Sequence, residues 1–136
     1  MGIQFASDAW IKALMQELNN SAAYANAAKN WEGDFYFVID KGDGLAEDAY
    51  LYMDLWHGAC RDAFKVDDPG QKSPEFELSA PLKTWKGVLG KKIDPIQGLM
   101  TRKLKLKGPM VKIMKAPKAA IELVECCTKI DTEWPA

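Results

Sequence analysis

At Trp31 the hydrophobic period of this chain changes, and that change fixes its fold class. Before it, Trp10, Ile11, Leu14, Met15 and Leu18 fall at i, i+1, i+4, i+5 and i+8, one face of a helix. Ser7 is placed to cap that helix, and Asp8 sits in its favourable first turn. Asn19-Asn20 stops it, and Ser21 can cap a second, alanine-rich helix to about Asn30. After Trp31 the period is two. Phe35, Phe37 and Ile39 alternate with Tyr36 and Val38, a strand with both faces largely apolar. Lys41 to Gly44 signals a turn, and Ala49 to His57 reads as a second strand. One of its faces carries Tyr50, Tyr52, Asp54 and Trp56, the other Leu51, Met53, Leu55 and His57. Gly58 permits a tight turn into a third strand, Cys60 to Val66. After the loop Asp67 to Pro74, Phe76 and Leu78 make a short fourth strand.

Beyond the strands the chain returns to helices. Ser79-Ala80-Pro81 opens one, with proline in its first turn, and Leu82, Trp85, Val88 and Leu89 form its apolar face up to Gly90. Asp94-Pro95 repeats that start for a helix carrying Ile96, Leu99 and Met100. Arg102 to Lys107 alternates as a fifth strand, Leu104 and Leu106 against Lys103, Lys105 and Lys107. Charged edge residues of this kind oppose aggregation. Gly108-Pro109 opens a helix through Lys115. Pro117 starts the last, with Ile121, Val124, Cys126 and Cys127 on its buried side. Segregated strands and helices predict an α+β fold: a mostly antiparallel five-stranded sheet with helices covering one face. A chain of 136 residues is expected to form a single domain.

The net charge of −1 hides a polarity. Glu32 to Glu77 holds 12 acids and 4 bases, whereas Leu82 to Lys118 holds 11 bases and 1 acid. The two halves either face each other in solvent or offer a basic face to an anionic head group or membrane surface. Cysteine is odd in number, Cys60 with the adjacent Cys126 and Cys127, so reduced thiols and a cytoplasmic setting are expected. The opening MGIQFASDAW lacks the basic start and apolar core of a signal peptide. His57 is the only histidine, and nothing beside it sets up a catalytic triad or a metal site. Phosphate-binding glycine loops and nucleic-acid motifs are also missing. No cofactor, metal, catalytic residue or nucleic-acid partner is therefore expected. What the chain offers is adaptable apolar surface: Met53, Met100, Met110 and Met114 with Trp56, Trp85 and the aromatics from Phe35 to Phe37.

Three segments carry a family resemblance: WEGDFYFVID at Trp31 to Asp40, the Leu78-to-Trp85 strand-to-helix step, and GKKIDPIQGLMTRKLKLKG at Gly90 to Gly108. Across Trp10 to Ile130 the chain resembles the sterol carrier protein 2 family of lipid-transfer domains. The resemblance implies an apolar tunnel between sheet and helices. It also implies noncovalent binding of a sterol, fatty acid or fatty acyl-CoA, without catalysis. By position, the lining would include Phe37, Met53, Trp85, Leu89, Ile96, Met100, Met110 and Met114, with Arg102 and Lys103 at an anionic head group. In one departure, Arg102 stands where the family usually has glycine before the Lys-Leu strand, a bulky cation expected to narrow or re-aim the cavity mouth. Partners to expect are a lipid or acyl-CoA ligand, transient contact with a membrane surface, and a second copy of the chain through the aromatic face of Tyr50 to Trp56. Two alternatives stand beside this one. The chain is an interaction or regulatory domain with a vestigial cavity, or an acyl-thioester enzyme that uses His57 or a cysteine.

Overall fold

The computed structural model describes residues 2–42 and 44–134. Its elements run β1 (Ile3–Gln4), α1 (Asp8–Asn19), α2 (Ala22–Ala27), β2 (Glu32–Asp40), β3 (Ala49–Trp56), β4 (Ala59–Val66), β5 (Phe76–Pro81), α3 (Leu82–Leu89), α4 (Pro95–Met100), β6 (Lys105–Lys107), α5 (Met110–Met114), α6 (Pro117–Thr128) and β7 (Thr132–Glu133). Five strands form one sheet in the order β4-β3-β2-β5-β6. Every neighbouring pair is antiparallel except β2 and β5, which run parallel with Phe37 opposite Leu78. The fold is the expected α+β one, mostly antiparallel, with helices on one face.

The helix starts follow the capping residues. The Ser7 hydroxyl accepts from the Trp10 amide at 3.1 Å, and the Ser21 hydroxyl accepts from the Tyr24 amide at 3.1 Å. Trp10, Ile11, Leu14 and Leu18 are buried as their spacing requires, whereas α2 ends at Ala27, short of Asn30. The Asp94 carboxylate caps α4, with Pro95 at its first position. α6 lies at the centre of the helical layer and packs against each of the other five helices.

Both faces of β2 are buried, but by different means. Phe35 and Ile39 join the main core under the helices, while Tyr36 and Val38 join Tyr52 and Val66 on the outer face. Among the described residues no helix covers that outer cluster; the loop between β4 and β5 does. The Tyr36 hydroxyl accepts from the Lys72 amide at 2.9 Å and lies 3.1 Å from the carbonyls of Pro69 and Lys72. The Lys72 ammonium stands 5.1 Å from the Tyr52 ring. The aromatic face of β3 is thus largely covered by the chain itself, which leaves Trp56 exposed beneath the Arg61 guanidinium.

Three expectations are corrected, and one strand pairing is unforeseen. Pro81 ends β5 and precedes α3 rather than lying inside its first turn. The fifth strand is only Lys105–Lys107, because Arg102 takes a left-handed turn, φ 63°, and Leu104 drops into the core. Ile121 is 44% exposed, since α6 turns Ala119, Val124, Cys126 and Cys127 inward instead. Finally, β1 and β7 form a two-residue parallel pair that brings Phe5 against Trp134. Gly108 closes β6 at φ 128°, where a Cβ would stand 2.7 Å from the Glu75 carbonyl oxygen.

Candidate functional site

Two cavities lie between the inner sheet face and the helical layer. The larger, about 100 Å³, has Phe35, Phe37 and Leu78 on its sheet side and Ile96, Ala119 and Leu123 among its helical walls. The smaller, about 50 Å³, lies toward α1 and is bounded by Phe5, Leu14, Leu51, Leu89 and Cys127. Phe37, Trp85, Val88, Leu123 and Val124 belong to both and form the partition between them. At about 100 Å³ the larger is well above the ~10–15 Å³ that a single water needs, so it is a true void and not a packing flaw.

The partition is built from β2, α3 and α6. The Trp85 indole donates from Nε1 to the buried Val38 carbonyl at 3.0 Å, which pins the ring. Phe37 meets it edge-on, with centroids 6.0 Å apart. Behind Phe37, a row of rings continues through Phe35 at 5.2 Å to Trp31 at 5.8 Å. On the far side, Ala116, Ala119, Ala120, Leu123 and Val124 repeat at i, i+3, i+4, i+7 and i+8 along α6. Alanine at three of those five places leaves the space that larger residues would fill.

The walls are apolar. Among the described residues, no buried side-chain nitrogen or oxygen lacks a hydrogen-bond partner, so the cavities hold no unmatched polar group to orient a guest. Attraction here comes from dispersion and from removing apolar surface from water. Burial pushes the Tyr24 phenol well above its usual range and the Cys60 thiol up to about 12. Burial also raises Cys126 and Cys127, so the thiols stay protonated near neutral pH. His57 sits in the β3–β4 turn, half exposed, 2.6 Å from the Glu32 carboxylate, and off both cavity walls.

The expected lining residues divide cleanly. Phe37, Trp85, Leu89 and Ile96 reach the cavities. Met53 is fully buried beyond their walls, and Met114 packs half-buried against the core. Met100 is 65% exposed and Met110 is 40% exposed. Arg102 is exposed on its turn and lines neither cavity. Its positive φ gives the reason a glycine suits that place: the turn is left-handed. Lys103 faces a separate open groove. The residues that sequence reasoning missed are mainly the small ones of α6, whose alanine spacing was the available signal.

A family model described as the SCP-2 sterol transfer family matches residues 11–120. The chain belongs to that family. A crystal structure of sterol carrier protein 2 is 32% identical and superposes with a TM-score of 0.83, over 93% of this chain and 98% of that one. A solution structure from Thermus thermophilus, of a conserved hypothetical protein described as possibly a sterol carrier protein, is 31% identical with a TM-score of 0.86. It covers 97% of this chain and 95% of its own. The apo form of sterol carrier protein 2 from Yarrowia lipolytica shares the fold, at 21% identity and a TM-score of 0.58. It is matched over 86% of this chain and 88% of that one. A search of curated proteins finds no match. Family membership supports lipid binding or transfer as the general activity. Among the described residues no helix is long and apolar enough to cross a membrane, and no cluster of His, Cys, Asp or Glu could hold a metal ion.

Proposed function

We propose that residues 1–136 act as one lipid-binding domain that carries a sterol, fatty acid or fatty acyl-CoA noncovalently and without catalysis. The observation that carries this reading is the pair of apolar cavities in an SCP-2 family fold, which share Phe37, Trp85, Val88, Leu123 and Val124 as lining residues. Each large side chain that gives its contact area to a guest is worth roughly 1.5–3 kcal/mol. Four of the exposed large apolar side chains, Met100, Met110, Val111 and Ile121, lie on the covering helices α4, α5 and α6. Such a face suits transient contact with a membrane during loading.

Native mass spectrometry of protein purified from cells tests the reading through copurified lipid. Delipidated protein should then bind fluorescent fatty acid. Ile96→Trp should weaken that binding tenfold or more, while Met100→Trp, whose side chain points outward, should leave it unchanged. Failure of delipidated protein to bind any lipid probe would instead favour an interaction domain with a vestigial cavity.

A further inference from the structure

α5 is the shortest helix among the described residues, five residues set between two breaks. Gly108, at φ 128°, and Pro109 precede it, and Ala116-Pro117 follows it. Val111 on its outer side is 65% exposed, whereas Ile113 is buried and lines the larger cavity together with Ala116. A single turn of helix therefore stands between that cavity and solvent. With Ile113 as its one buried side chain, α5 is held far less firmly than α6, which buries Ala119, Val124, Cys126 and Cys127.

The one charged residue of α5, Lys112, ties it to the sheet. Its ammonium lies 3.1 Å from both carboxylate oxygens of Glu75 and donates to the Glu32 carbonyl. The Trp31 and Phe76 rings stand 5.2 and 5.7 Å from it. This seat is held in place without the lysine. The Trp31 indole donates to the Gly33 carbonyl at 3.1 Å, and the Glu75 amide donates to the Asp34 carboxylate at 2.8 Å. Gly33 leaves room for it, since a Cβ there would stand 2.9 Å from the Phe76 ring and 3.1 Å from the Glu75 carboxylate. Trp31 also lines the larger cavity, so seat and cavity share a wall. Gly108 packs against the same Glu75-Phe76 step, which brings the pivot of α5 and its tie together. The side chains of Lys112 and Glu75 are 36% and 38% exposed, so water and salt screen the pair and it can release.

We propose that α5 is the door of the larger cavity, and that Lys112 is the positioning residue that sets how fast lipid enters and leaves. When Lys112 leaves Glu75, α5 swings about Gly108 and Ala116 and takes Ile113 out of the wall. The tie is made whether the cavity is empty or filled, so it acts on both rates and leaves affinity alone. The inference rests on the cavity reading above and adds its route of entry.

Stopped-flow binding of a fluorescent fatty acid to delipidated protein tests it in the parent, in Lys112→Gln, and in Glu75→Cys/Lys112→Cys with and without a short bismaleimide bridge. Cys60, Cys126 and Cys127 are buried and their thiols stay protonated, so the reagent selects the new pair. Lys112→Gln should raise the association and dissociation rates together, each about threefold or more, with Kd within about twofold of the parent. Bridging should slow both rates at least tenfold against the unbridged form. Without lipid, the α5 amides of Lys112→Gln should exchange hydrogen faster than the parent's, and the α6 amides at the same rate. Equal rates in bridged and unbridged protein overturn the door and leave the cavity reading intact. Entry then lies beside Leu89 and Cys127, where the smaller cavity meets the open groove. A faster dissociation alone, with affinity falling in step, makes Lys112 a ligand contact and also overturns it. If the parent binds no fatty acid, both readings fall together.

Discussion

Trp85 serves the core and the cavity at once. Its indole satisfies the Val38 carbonyl, and its ring stands in the partition beside Phe37. Trp85→Phe removes that donor and one hydrogen bond to the Val38 carbonyl, so chemical denaturation should show a loss of about 0.5–1.5 kcal/mol. Arg102→Gly acts in the opposite sense. Relief of a left-handed residue is worth about 1–2 kcal/mol, and the added freedom of glycine in the unfolded chain takes back ~0.5–1. A net gain of about 0–1.5 kcal/mol is expected, with lipid affinity unchanged because Arg102 lines neither cavity. Cys60 sets a pH dependence. Its folded thiol titrates at about 12, against about 8.5 when unfolded, so the folded state holds the proton longer. Its contribution to stability is complete below about pH 8.5 and fades as the pH rises toward about 12. Denaturation midpoints should fall between pH 8 and pH 11, and less steeply in Cys60→Ala.

At the scale of elements, α6 decides whether there is a cavity. Ala119 is buried and lines the larger void, so Ala119→Leu would place three more carbons inside it. The variant should match or exceed the parent's thermal stability and bind lipid at least tenfold more weakly. A loss of stability instead would mean that the void is too narrow for the added side chain. The starts of α1, α2 and α4 were legible because a cap is one residue making one hydrogen bond, and Ser7, Ser21 and Asp94 each make it. The rotation of α6 was not. Ala119, Ala120, Ile121, Leu123, Val124, Cys126 and Cys127 put apolar groups around most of its circumference, so period alone could not choose between Ile121 and Ala119. The methionines show a similar limit. Their flexibility marks them as suited to an adaptable wall, but Met100 ends a six-residue helix and Met110 begins a five-residue one, where the side chain turns outward. Two-residue β1 and β7 are too short to show any period.

Across the whole molecule, sequence patterning conveyed the segregation of strands from helices, while the depth of the space between them depended on packing. The charge polarity of the chain resolves in the same way. Lys107 meets Glu77 and Lys112 meets Glu75 across the boundary of the two halves, but Lys83, Lys86, Lys92 and Lys103 have no such partner among the described residues. The basic half is thus partly a counterpart to the acidic sheet and partly a surface with a charge to satisfy. Exposed pairs of this kind contribute only about 0–1 kcal/mol each, so they position elements more than they hold the fold together. What holds it is one apolar layer between sheet and helices, and that layer is incomplete at the two chambers. The central claim is that a lipid chain completes it. Intermolecular nuclear Overhauser contacts from a bound fatty acyl chain test this most directly. They should run from the chain methylenes to the methyl groups of Ile96 and Leu123 and to the Phe37 ring; contacts confined to the outer face around Tyr52, or none at all, would contradict it.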